Sequence, residues 1–381
     1  MKRLVLVGAG HAHIEVLRDL AQPSAGVEVV VVNPYPWLTY SGMVPGFIAG
    51  HYTLDECTID VAAVAARANA RLLITSATVL DPAARQVRCA NGAVLDYDVL
   101  SLDVGSLAPA DAAAGAERHA VLMRPLERLV KGWTETLAAA RAGRVHSITL
   151  AGTGAAGVEL AFAMHHRLRR EMAEAAPHLR LIGDSRDVVP TFHAGARRRI
   201  RAEIEARRIE WHQGSGVVEV GSGFVRLLNG FEFATDVVFW AAGAAPHRWL
   251  ADSGLATDAR GFVLTDERLR SCSHPEVFAA GDCASQHGHP RAKAGVFAVR
   301  AGPALARALR AALAGREPRK HVPRARYLAL ISAGNRYAIG VWDGLSWEGE
   351  WVWRWKDRID RKFVQRYRSH AARDSQPSRN S

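Results

Sequence analysis

Two glycine clusters carry the residue types that cradle phosphates: Gly8-Ala9-Gly10-His11-Ala12-His13 and Gly152-Thr153-Gly154-Ala155-Ala156-Gly157. Each follows a short apolar run, Leu4–Val7 or Ile148–Ala151, and precedes a helical pattern. That context turns a common glycine spacing into a strand–turn–helix prediction. Glycine permits the tight turn and lets backbone amides approach a pyrophosphate lying on the positive end of the helix. Two cradles in one chain predict two dinucleotides, with electrons passing between them.

The polar residues beyond each cradle narrow the chemistry. A ribose-reading acid normally ends the second strand of such a unit. Asn33 takes that place in the first half and Asp184 in the second. Asn33 offers a ribose hydroxyl a hydrogen bond but no charge. Asp184 is expected to accept from both adenosine ribose hydroxyls and to repel a 2′-phosphate. Arg186, two residues on, keeps a 2′-phosphate open, and a solvated turn aspartate is the bland alternative. Glu159, two residues past the second cradle, is a candidate for a ribose of the bound nucleotide or simply a first-turn glutamate favoured by the helix dipole. Asp282 follows the apolar strand Val277–Ala280 through Gly281, which places a carboxylate for a cofactor hydroxyl.

Other chemistries are poorly served. Cys57, Cys89, Cys272 and Cys283 show no CxxC or CxxxxC spacing, so no close redox dithiol is expected and four reduced thiols are. The sixteen histidines are scattered without metal-ligand spacing, and no metal site is predicted. His11, His51 and His274 offer protons in principle; a hydrogen-bonded structural role is the default for each.

The elements needed to position these residues repeat. The first unit gives a strand (Arg3–Val7), a helix (His13–Leu20) and a strand (Val27–Val32), then an aromatic, glycine-rich loop from Pro34 to Tyr52. It closes on the run from Leu95 to Gly105-Ser106. The second gives a strand from Ser147, a long helix (Gly157–Ala173), a strand (Leu179–Gly183), a basic helix (Ala194–Arg208), hairpin-like strands (Gly216–Leu228) and the run from Asp236 through Gly243 to Pro246. A cradle, an acid position and a strand ending in glycine thus recur in the same order, a stronger signal than either cradle alone. A helix from about Ala294 to Ala314, a polar linker and strands from Tyr327 to Val341 complete the pattern. The fold class is therefore α/β, with two Rossmann-like dinucleotide-binding domains and a C-terminal extension.

The set Gly8–His13, Gly105-Ser106, Gly152–Gly157, Asp236–Pro246 and Val277–Asp282 resembles the pyridine nucleotide-disulfide oxidoreductase superfamily, whose fold is glutathione-reductase-like. The missing dithiol and the loop Thr39-Tyr-Ser41-Gly42-Met-Val-Pro45-Gly resemble its type II NADH dehydrogenase group, to which sulfide:quinone oxidoreductases are related. The Gly-His-Ala-His turn, Ala294–Arg300 and Trp351–Asp357 also resemble the flavoprotein module found fused ahead of selenide, water dikinase. The resemblance implies a discontinuous FAD domain (residues 1–112 and 258–320), an NAD(P)H domain (113–257) and a C-terminal region (321–381). It places Gly8, Ala9, Gly10, His11, His13, Asn33, Ser41, Gly42, Pro45, Gly105, Gly281, Asp282 and Val296 at FAD. It places Gly152, Gly154, Ala155, Gly157, Glu159, Asp184 and Gly243 at NAD(P)H. His13 departs from the third Gly/Ala of the first cradle, so helix and strand are expected to pack less closely there. Lys293, just before the helix at Ala294, is the candidate catalytic group: its charge and the helix field would favour hydride acceptance by a flavin, a surface lysine being the alternative.

By the same resemblance, NAD(P)H gives hydride to the flavin and a small-molecule acceptor, foremost a quinone, receives the electrons. The alternatives are a soluble oxidoreductase of selenium or sulfur compounds using Cys57 or Cys283, and a non-catalytic flavin-binding partner. The net charge of +11 is uneven: residues 351–381 hold nine Lys/Arg against three Asp, and five of the ten tryptophans fall between Trp342 and Trp355. On a helix, Trp351, Val352, Trp355, Ile359, Phe363 and Tyr367 share one face opposite Arg354, Arg358, Arg361 and Arg368. This predicts either an interfacial helix over residues 351–368 drawn to anionic lipid or a helix packed on its own domain. No nucleic-acid-binding fold is recognised. A cleavable leader would cut through the first cradle, so a cytoplasmic location is expected, peripheral to the inner face of the plasma membrane if the tail binds lipid.

Overall fold

The computed structural model describes residues 1–21, 26–324 and 326–368; the basic stretch beyond residue 368 lies outside them. Uninterrupted apolar runs such as Leu4–Val7 and Val29–Val32 suit strands covered on both faces, and they form the centre of a five-stranded sheet. Its order is Val277–Ala279, Val99–Leu102, Lys2–Val7, Val27–Asn33, Arg71–Ile74, parallel throughout. A second five-stranded parallel sheet has the order Ala120–Leu122, Val237–Trp240, Ser147–Ala151, His178–Ile182, Glu210–His212.

Four of the five positions in each sheet follow one plan. Each cradle strand lies between the fourth and second strands of its repeat, and each fourth strand is preceded by a three-stranded antiparallel meander, Ala77–Asp96 or Val217–Ala234. The fifth strand differs in origin. The first sheet takes it from residues 277–279, after the whole second sheet; the second takes it from residues 120–122. Leu250 and Leu255 already pack with Val5, Val7 and Leu100 of the first sheet.

Both cradle helices start two residues earlier than the periodicity predicts, at His11 and Ala155. Gly10 and Gly154 stand in extended conformation as N-caps, so the turn tightens into helix at once. The helix Gly295–Leu313 crosses the first-cradle helix at Gly302, where a Cβ would lie 2.7 Å from that of Glu15. Only glycine allows the two backbones so near.

The chain ends in a three-stranded antiparallel sheet (Leu328–Ser332, Ala338–Trp342, Leu345–Gly349) and the tail helix Glu350–Tyr367. Here the expected single apolar face is corrected. Val352, Phe363 and Tyr367 are buried, but Trp351, Trp355 and Ile359 are 55%, 39% and 40% exposed. The helix is rotated because Lys356 and Asp360 also face inward, where Tyr40, Gly42 and Glu159 receive them. Nor does Arg361 face away: it pairs with Glu56 and Asp357 and lies over Tyr52. Among the described residues no helix is long and apolar enough to cross a membrane.

Candidate nucleotide sites

At the first cradle Gly8 has φ +86°, and a Cβ there would lie 2.4 Å from the carbonyl oxygen of Asp103. A Cβ on Gly10 would meet the Asp103 carboxylate at 2.5 Å, and one on Gly281 would meet its Oδ1 at 2.3 Å. Three of the predicted glycines therefore converge on a residue that the sequence reading missed. Asp103 is 3% exposed, and its Oδ2 accepts the amides of Ala12 at 2.8 Å and His13 at 3.0 Å. These are first-turn amides of the cradle helix, which an anion satisfies well. Burial pushes the Asp103 carboxyl up to about 7, against those two amides and with help from the charge of Asp282.

The neighbours are held by the cradle itself. Asn33 accepts the Ala9 amide at 2.9 Å and donates to Tyr35. His13 is fully buried; its Nδ1 lies 2.6 Å from the Gly8 carbonyl, an acceptor only, so Nδ1 carries the proton and Nε2 accepts from Ser101. Burial pushes both His11 and His13 down to about 4, so they stay neutral near pH 7. The amides of Gly10 and His11 take no protein partner among the described residues.

The remaining candidates of the first half gather around this turn. Ser41 lies 3.1 Å from where a Gly295 Cβ would stand, which brings the Ser41-Gly42 loop to the helix carrying Val296. Pro45 opens the short helix Val44–Ala49, whose Val44 and Ile48 pack with Val158 and Phe162 of the second-cradle helix. Asp282 sits 3.2 Å from Arg124, which also donates to Ser106 beside Gly105. Burial raises the Asp282 carboxyl although Arg124 opposes it. Arg124 is a second residue the sequence reading missed. Lys293 donates to Ala284 at 2.6 Å and Ser285 at 3.1 Å and lies over the Phe262 ring; burial lowers it to about 8.

The second cradle is more open. Gly152 backs onto Ala241, with a Cβ 2.7 Å from its carbonyl carbon, and a Gly157 Cβ would strike the Gly152 oxygen at 2.0 Å. Around Gly154 a Cβ would meet nothing within 4 Å. Ala156 and Gly157, the counterparts of Ala12 and His13, have amides without a protein partner among the described residues. Ala155 begins the helix, Gly243 turns at φ +65° against Pro109, and Asp184 is exposed at the end of its strand. Glu159 instead points into the protein. It accepts the Ser332 amide at 2.9 Å and lies 4.0 Å from Lys356. Burial alone would lower Lys356, but Asp360 and Glu159 outweigh it and keep the ammonium charged.

Both helix ends offer unpaired amides to an anion, and glycines remove the side chains that would block it, so the residues present fit two dinucleotide pyrophosphates. The cysteines are poorly placed for thiolate chemistry: all four are unbridged, and burial pushes Cys57 and Cys283 up to about 12. Among the described residues no cluster of ligating side chains could hold a metal ion.

The sequence model of the pyridine nucleotide-disulphide oxidoreductase family matches residues 2–307. An NADH dehydrogenase-like protein of Mycobacterium tuberculosis is 28% identical over 326 residues, covering 76% of this chain and 78% of its own. An external alternative NAD(P)H-ubiquinone oxidoreductase of Solanum tuberosum mitochondria is 22% identical over 328 residues, covering 76% of this chain and 56% of its own. The sulfide:quinone oxidoreductase of Aquifex aeolicus superposes with a TM-score of 0.82 at 16% identity, over 97% of this chain and 92% of that one.

Proposed function

The chain belongs to the pyridine nucleotide-disulphide oxidoreductase family, and from that premise we propose that it is an FAD-dependent NAD(P)H oxidoreductase delivering electrons to a quinone. The observation carrying this reading is the duplicated cradle, two glycine turns on two like-ordered parallel sheets. We assign residues 1–112 and 258–320 to FAD, 113–257 to NAD(P)H and 321–381 to the C-terminal region. When bound, FAD supplies a two-electron acceptor for hydride and a donor to the quinone.

The chain's own residues orient and enclose. Gly10, His11 and the Gly295 helix end offer amides to the first nucleotide, Gly8 turns the chain beneath it with its own amide on Val32, and Asp282, braced by Arg124, presents a carboxylate for its hydroxyls. Gly154 and Ala155 offer amides to the second, over the turn made by Gly152, whose amide is held by Ile182, with Asp184 on the adenosine ribose favouring NADH. No protein nucleophile is required, in keeping with the buried, neutral thiols. A quinone is favoured by the ubiquinone-reducing relative and by the outer face of the tail helix. Trp351, Trp355 and Ile359 stand there beside exposed Arg354, Arg358 and Lys362. Such a face suits an anionic lipid surface.

The test is an anaerobic titration of the FAD-loaded protein with NADH and with NADPH, followed by quinone reduction on vesicles with and without anionic lipid. Bleaching of the 450-nm region at about one equivalent of NADH, then quinone-dependent recovery, is expected. A colourless protein that takes up no flavin, or a flavin that NADH never bleaches, sinks the reading.

A further inference from the structure

The internal repeat sets Asp98-Val-Leu-Ser-Leu-Asp103-Val-Gly105 against Asp236-Val-Val-Phe-Trp-Ala241-Ala-Gly243. The two segments occupy the same place in their sheets, and each lies against the first glycine of its cradle. Asp103 thus stands where the sister site has the methyl of Ala241. The second cradle leaves its helix amides to a ligand; the first has a carboxylate of the chain on two of them. Gly10 and Gly281 keep that carboxylate from being displaced by a side chain.

A dinucleotide pyrophosphate brings two negative charges to the same helix end, where Asp282 is a further carboxylate neighbour. Two anions on one helix end repel each other, and the repulsion is relieved if one is neutralised. Resting on the assignment of the first cradle to the flavin nucleotide, we propose that Asp103 is a cofactor-binding residue that takes one proton from solvent when the pyrophosphate enters. The neutral acid then offers its hydroxyl as a hydrogen-bond donor to that group. Flavin uptake is proton-linked, and nicotinamide nucleotide binding at the second cradle is not.

The other groups facing Asp103 hold one charge state over the relevant range. His11 and His13 on the cradle helix stay neutral, and Cys283 on the Gly281 turn stays a thiol. Arg124 lies against Asp282 at 3.2 Å. Lys293 lies beyond Asp282 and is lowered by burial to about 8, so it starts to titrate at the upper edge of the range, and Asp103→Asn, which keeps it, reports its share. The Asp103 carboxyl itself sits at about 7, so FAD affinity should fall as pH rises through 7, by up to about tenfold per unit.

The experiment measures FAD affinity of deflavinated full-length protein from pH 5.5 to 7.5, by fluorescence and by calorimetry in two buffers of different ionisation heat. For the natural protein, affinity should weaken about fourfold between pH 5.5 and 7.5, with proton uptake rising to about three-quarters of a proton per FAD at pH 7.5. Asp103→Asn and Asp103→Ala, the latter copying the sister site, should bind FAD about as tightly at pH 7.5 as at 5.5 and take up no proton. NADH affinity should stay flat in all three. A pH-independent FAD affinity with no proton uptake in the natural protein overturns the proposal, even if neither variant folds. So does an unchanged pH dependence in Asp103→Asn. If FAD fails to bind at every pH, the assignment of the cradle itself falls, an outcome distinct from FAD binding without a proton.

Discussion

The two cradles are built alike and finished differently. Each hangs a helix on a glycine turn between the second and fourth strands of a parallel sheet. The third position of the motif is Gly157 in one, pressed on the Gly152 oxygen, and His13 in the other, buried between Gly8 and Ser101. The amides of Ala156 and Gly157 are free in one, and those of their counterparts Ala12 and His13 are capped by Asp103 in the other. A glycine motif therefore states how close two backbones come but not what fills the space: at Gly10 it is the chain's own carboxylate, at Gly154 nothing within 4 Å.

The likeness extends one turn further. Glu15 and Glu159 hold the same place in the two helices, and the tail helix reaches both, through the Tyr367 hydroxyl at 2.7 Å and through Lys356 at 4.0 Å. One tie is neutral and the other ionic, which separates them experimentally. Lys356→Met leaves Glu159 and Asp360 buried without their cation and should cost roughly 3–5 kcal/mol in denaturant unfolding. A loss below about 1 kcal/mol would mean the ionic tie contributes nothing beyond packing.

The carboxylate in the first cradle should also mark the stability profile. The folded state holds the Asp103 proton where the unfolded state has lost it. Its contribution is thus full below about pH 4 and disappears as pH climbs through about 7, by up to roughly 4 kcal/mol. Unfolding midpoints of the nucleotide-free protein at pH 5 and 8 should differ more for the natural chain than for Asp103→Asn. Equal differences would show that Asp103 keeps an ordinary acidity.

Alanine at the second glycine of each motif sharpens the contrast. Gly10→Ala should lose about 1–3 kcal/mol through collision with Asp103, recovered when Asp103→Ala is added. Gly154→Ala should leave unfolding nearly unchanged and weaken only NAD(P)H binding. Matching losses at the two positions would erase the difference between the cradles. The smallest effect is expected for Tyr367→Phe, about 1 kcal/mol, because Glu15 keeps its pairing with Arg18.

Strand–turn–helix units were legible because apolar runs, glycines and helical periodicity all act within some thirty residues. Asp103 was not, since its carboxylate meets amides 90 and 91 positions away. A faint signal existed: setting the two glycine-ended strands side by side leaves an acid opposite an alanine. The tail misled for a related reason. Its tryptophans dominate any apolar pattern, whereas the side that packs is chosen by Lys356 and Asp360, whose partners Tyr40 and Glu159 come from distant elements. Polar burial is settled by what lies across the interface, and periodicity does not report that.

Because one C-terminal helix grips the same position on both cradle helices, it acts as a common lever. Anything that seizes its outward tryptophans and shifts it strains two nucleotide pockets together. By reciprocity, a ligand at either cradle that moved Glu15 or Glu159 would alter the grip on those tryptophans by the same factor. Grip and cradle would then be a single balance, shared along eighteen residues.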